Sequence, residues 1–86
     1  MNVSKGGVVE RIARVLAGQR LSANADGADA HAADAVDAAW QNHVDDAVAV
    51  LRTMREPDAR MANAGDPAVW EKMILAALPE SARGGA

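Results

Sequence analysis

Apolar residues recur along this chain at the 3.6-residue spacing of helices and never alternate over any length, so the pattern predicts helices and no strands. Val8, Val9, Ile12, Ala13 and Leu16 fall on one face, with Glu10, Arg11 and Arg14 on the other, which predicts a first helix over residues 5–17. Ser4 is its candidate N-cap and Gly18 its candidate C-terminal stop. Gly6 and Gly7 weaken the first turn by about 1 kcal/mol each, which favours a start at Gly7 or Val8. The stretch GQRLSANADG reads as a loop.

From Ala28 to Arg55 there is no Gly or Pro, and Ala33, Val36, Trp40, Val44, Ala47, Val48, Leu51 and Met54 keep helical spacing, predicting one long helix over 28–55. Glu56-Pro57 must end it, because proline disfavours helical angles in the residue before it. Proline also suits the first position of a new helix, so a short third helix is expected over 57–64, with Asp58 in its first turn and Gly65 closing it. The same device follows at once: Asp66 caps, Pro67 opens, and a fourth helix runs over 67–78 with Val69, Trp70, Met73, Ile74, Ala77 and Leu78 on one face. Pro79 stops it, and residues 81–86 read as a disordered tail. The expected fold is therefore all-α: a single domain over residues 1–80, a small bundle of three main helices plus one short helical turn.

Composition sharpens this picture. Half of the 86 residues are apolar, but 21 of those are alanine, and Leu, Ile and Val together make up only 16. The core must then be thin, with Trp40 and Trp70 expected at its centre, and self-association is one ordinary remedy. There is no cysteine, which removes disulfides, zinc–thiolate sites and thiol catalysis, and fits a cytoplasmic protein. No apolar run approaches the roughly 20 residues of a membrane span.

The formal charge of −3 is unevenly spread. Residues 1–20 carry +3, and residues 51–86 balance. Residues 21–50 carry −6, from Asp26, Asp29, Asp34, Asp37, Asp45 and Asp46. The plain reading is a basic helix beside an acidic one; the sharper reading is an acidic surface meeting a basic partner.

Three blocks of the chain resemble a set of small uncharacterised proteins of alphaproteobacterial genomes and their phages. The first holds Val9, Glu10, Arg11, Ala13, Arg14 and Leu16. The second holds Met54, Arg55, Glu56, Pro57, Met61, Ala64 and Gly65, and the third Val69, Trp70, Met73, Ile74, Ala76, Ala77 and Leu78. The blocks cover about half the chain and consist mostly of core and cap positions. The Asp/Ala-rich middle departs from the pattern. The resemblance implies phage or prophage origin and assigns no reaction.

Chemistry is sparse. His31 and His43 are 12 residues apart, about 18 Å along a continuous helix, so they cannot share a metal within one chain. The acidic spacing around Asp26 lacks the terminal glutamate of a calcium loop. Ser4, Ser22 and Ser81 sit near ends or in loops, and no glycine-rich phosphate loop is present. No catalytic, cofactor-binding or metal-binding residue is assigned, and no cofactor is expected. The fourth helix offers one base, Lys72, which disfavours duplex binding.

The expected function is a non-enzymatic protein-interaction module with a protein partner or a second copy of itself. Asp34, Asp37, Asp45, Asp46 and Trp70 are the candidate partner-binding residues. Trp70 with Met61 and Met73 would form an adaptable apolar surface. The alternatives are an acidic accessory protein that inhibits a host nucleic-acid-handling protein and, third, a weak DNA-binding protein.

Overall fold

The computed structural model describes residues 6–24 and 32–83. The protein is all-α, with no strand among the described residues. In chain order the elements are α1 (Val8–Asn24), α2 (Ala32–Ala39), a 3₁₀ turn (Trp40–His43), α3 (Val44–Met54), α4 (Ala59–Ala64), α5 (Pro67–Ala77) and α6 (Glu80–Arg83). They fall into two compact units, Met1–Ala47 and Val48–Ala86, with the boundary inside α3.

In the first unit, α1 begins at Val8, after the two glycines that weaken a helical start. It does not stop at Gly18. The backbone there is not left-handed, and α1 continues to Asn24. Packing overrides local preference at this point. Leu21 repeats the apolar stripe one turn beyond Ala17 and is half-buried, while Ala13 and Ala17 are fully buried. With small residues at 13, 17 and 18, α2 comes close: a Cβ on Gly18 would meet Val36 Cγ2 at 3.8 Å. The opposite side of α1 keeps an apolar stripe of its own, in which Val8, Ile12 and Leu16 are half-buried and Val15 is exposed.

The expected uninterrupted helix over 28–55 is not present. Residues 28–31 lie outside the described residues, and the helical path tightens after Ala39, where φ/ψ is −112°/−14°. The Val44 N–H bonds back to the Gln41 carbonyl, an i→i+3 closure. Trp40, Asn42, His43 and Val44 are all weak helix formers, so this is where a helix rich in alanine and aspartate gives way. Four residues turning 120° each instead of 100° rotate α3 by about 80° from the phase of an unbroken helix.

In the second unit, Leu51 of α3, Ile74 of α5 and Leu78 are buried. Pro57 is not the first residue of α4, as expected from its sequence, but precedes the cap. Asp58 has extended backbone, and its carboxylate accepts the Met61 N–H at 2.9 Å. Asp58 offers a side-chain oxygen to a free N–H of the first turn, which proline cannot, so the N-cap falls on Asp58 and the helix starts one residue later. Asp66 and Pro67 do match expectation: Asp66 Oδ1 accepts the Ala68 N–H at 2.9 Å, with Pro67 at the helix start. Gly65 sits at the end of α4 in extended, not left-handed, conformation.

After α5, a short helix α6 occupies Glu80–Arg83, at the start of the tail expected from residue 81. Arg83 explains this: its Nε donates to the Leu78 carbonyl at 2.8 Å, and its Nη2 to the Ala76 carbonyl at 3.4 Å. These satisfy carbonyls that a helix C-terminus otherwise leaves to solvent. The last three residues, and the Ser4 cap, lie outside the described residues.

Candidate functional site

The second unit carries an apolar groove of about 400 Å³ along α4 and α5. Pro57, Met61, Ala64, Val69, Trp70 and Met73 line it. Helical spacing creates it: Val69 and Met73 are one turn apart on α5, and the Asp66-Pro67 start sets that face beside Met61 of α4. Met73 is 63% exposed and Val69 50%, so two large apolar side chains of this face have half or more of their surface in water. Met61 is exposed too. Methionine has three rotatable bonds and a polarisable sulfur, which lets such a surface fit partners of varied shape.

Trp70 fixes one side of the groove. Its indole Nε1–H donates to the Met54 carbonyl at 2.6 Å, tying α5 back to the last turn of α3. The bond satisfies both the indole donor and a carbonyl free at a helix end. Arg55 Nη2 lies 3.6 Å from Glu71 Oε1 beside it. The sequence led us to expect both tryptophans at the core centre, and neither is there. Each is half-buried, and the buried apolar side chains among the described residues are instead Ala13, Ala17, Ala47, Leu51, Ile74 and Leu78. An indole carries a polar N–H that needs a partner, which favours a position at the edge of a small core.

In the first unit, Trp40 lies beneath Arg14, whose guanidinium carbon is 5.3 Å from the ring centroid. Arg14 also donates to Glu10 at 2.9 Å and to Asp37. The hydrogen bond to Asp37, then that to Glu10, raises the Arg14 pKa above its ordinary value.

The candidate aspartates divide into two groups. Asp34 and Asp37 lie on α2, and Asp45 and Asp46 in the first turn of α3. All four are exposed. An unbroken helix would set Asp34 and Asp45, 11 residues apart, nearly in line; the 3₁₀ turn rotates them apart. Asp37 is already engaged by Arg14, and Asp45 and Asp46 suit the positive end of α3. Asp26, Asp29 and His31 lie outside the described residues.

A second, polar cleft of about 700 Å³ has Arg52, Arg55, Glu56 and Glu71 along it, two charges of each sign. Thr53 at its edge donates its hydroxyl to the Ala49 carbonyl at 3.0 Å. Among the described residues, no three His, Asp or Glu side chains gather to hold a metal ion, and no helix is long and apolar enough to cross a membrane. Compared with protein-family models, curated proteins and solved structures, the chain gives no significant match.

The groove was partly legible beforehand, since Met61, Trp70 and Met73 were read as one adaptable surface. Val69 and Pro57 were missed as members. Val69 was set on the same helix face as Trp70 and Met73 but not joined to their surface, and its position one turn before Met73 was the signal that could have placed it.

Proposed function

We propose that this protein is a non-enzymatic protein-interaction module that uses the α4–α5 groove to hold an apolar helical segment of a protein partner. One observation supports it above the rest: Met61, Val69, Trp70 and Met73 line a single open groove with much of their apolar surface in water. Exposed apolar surface gathered in a concave site marks interaction surfaces, whereas apolar residues scattered singly do not. A groove between short helices suits an amphipathic helix presenting apolar residues at i, i+4 and i+7. The resemblance of the three sequence blocks to small alphaproteobacterial and phage proteins supports a phage or prophage origin.

The test is a library of amphipathic helical peptides screened against the wild-type chain and against M73E. Enriched peptides should bind the variant roughly tenfold or more weakly, because a carboxylate replaces an apolar anchor. No enrichment, or equal binding to both proteins, would reject the groove as the binding site.

A further inference from the structure

The groove is also where the chain exposes its sulfur. There is no cysteine, so the four methionines hold all the thioether or thiol sulfur that a two-electron oxidant can meet. Met54, Met61 and Met73 lie among the described residues, and all three are exposed: 39% for Met54, 39% for Met61 and 63% for Met73. Oxidation follows access to the sulfur, so Met73 should react first.

Their places decide what oxidation would change. Met61 and Met73 line the groove from α4 and α5, whereas Met54, as exposed as Met61, does not line it. The buried apolar side chains among the described residues are alanine, leucine and isoleucine, with no methionine. The bonds that shape the groove also leave the sulfurs out. Asp58 accepts the Met61 N–H, Asp66 accepts the Ala68 N–H, and the Trp70 indole donates to the Met54 carbonyl. The lining of the groove can therefore change its chemistry while the core and these bonds stay as they are.

The chemistry is one oxygen transfer. The thioether sulfur attacks an oxygen of hydrogen peroxide; an S–O bond forms and the O–O bond breaks. The departing hydroxide takes the proton of the transferred hydroxyl and leaves as water. Sulfur loses two electrons and the peroxide gains them. The sulfoxide is polar where the thioether was apolar. An apolar partner closing over it buries an acceptor oxygen without a donor, which opposes binding.

We propose that the α4–α5 groove is a redox-switched surface: peroxide converts Met73 and Met61 to sulfoxides and closes the groove to apolar partners while the fold stands. This rests on the reading of the groove as a protein-binding site. The experiment treats the full chain with hydrogen peroxide, quenches it at intervals and follows each methionine by peptide mapping and mass spectrometry. Circular dichroism and binding of the peptides enriched in the library screen are measured on the same samples. Affinity should fall about tenfold or more as Met73 and Met61 convert, with the helical signal retained. M61L/M73L puts apolar side chains of similar volume in place of both sulfurs and should bind alike before and after peroxide. M54L should lose affinity as the wild type does. Methionine sulfoxide reductases with a thiol reductant should restore wild-type binding.

Undiminished binding by a chain oxidised at Met61 and Met73 would overturn the proposal. So would loss of helical signal in step with oxidation, or Met61 and Met73 left intact while Met54 converts. An equal loss of affinity in peroxide-treated M61L/M73L would also overturn it. Each of these leaves the groove a binding site, because the reduced chain has bound. A reduced wild type that binds no library peptide rejects the groove reading, and the switch falls with it.

Discussion

Replacing Gly18 with alanine should stabilise the protein. Gly18 lies in the interior of α1, its backbone is not left-handed, and a Cβ there would meet Val36 Cγ2 at 3.8 Å, an ordinary van der Waals separation. Two gains follow. Alanine improves on glycine in a helix interior by about 1 kcal/mol, through lost freedom in the unfolded chain. The methyl also lands at a half-buried position against Val36, where half of the roughly 0.8 kcal/mol of a fully buried methylene is reasonable. The total is about 1.4 kcal/mol. A domain of this size gains about 4–8 °C in midpoint per kcal/mol, so a circular dichroism melt should shift upward by about 6–11 °C. A lower midpoint for G18A would refute the reasoning. It would mean that Gly18 needs a left-handed backbone and that α1 ends where the sequence pattern first placed its end.

Other substitutions probe the remaining joints. W70F keeps the ring but loses the donor to the Met54 carbonyl. It should cost about 1–2 kcal/mol in a denaturant titration with unchanged slope, and a neutral result would show that this bond does not hold α5 to α3. D58A and D66A each remove a side-chain acceptor for a helix N-terminus and should each cost about 1 kcal/mol. If D58A alone were silent, Pro57 rather than the cap would define the start of α4.

What the sequence made legible was what depends on local chemistry. The all-α class, the start of α1 after two glycines and the Asp66-Pro67 opening of α5 all follow from propensity, capping and period. The misreadings share another cause. Gly18 was read as a stop because glycine usually is one, yet Leu21 continues the apolar stripe past it and α2 packs across it. The 3₁₀ turn at Trp40–His43 was invisible because apolar spacing alone does not distinguish 3.0 from 3.6 residues per turn over four residues. The tryptophans were expected at the core centre, and the structure instead ties Trp70 to a helix end by its N–H and sets Trp40 beneath a cation. For the groove, the methionines and Trp70 could be gathered from spacing. Their exposure could not, because it depends on how α4 meets α5.

The alanine content of the core has a practical consequence for anyone mapping this protein by mutation. Of the six buried apolar side chains among the described residues, Ala13, Ala17 and Ala47 already have nothing beyond Cβ, and all three fall in the first unit. An alanine scan would therefore be blind at these three positions, and of these buried side chains it would report only Leu51, Ile74 and Leu78. The informative scan inserts bulk instead. Valine or leucine at positions 13, 17 and 47 has no space prepared for it, and overpacking of this kind costs about 1–3 kcal/mol. In this half of the chain, tolerance to mutation is limited by how small a residue must be, and enlargement, not truncation, is the change that selection would remove.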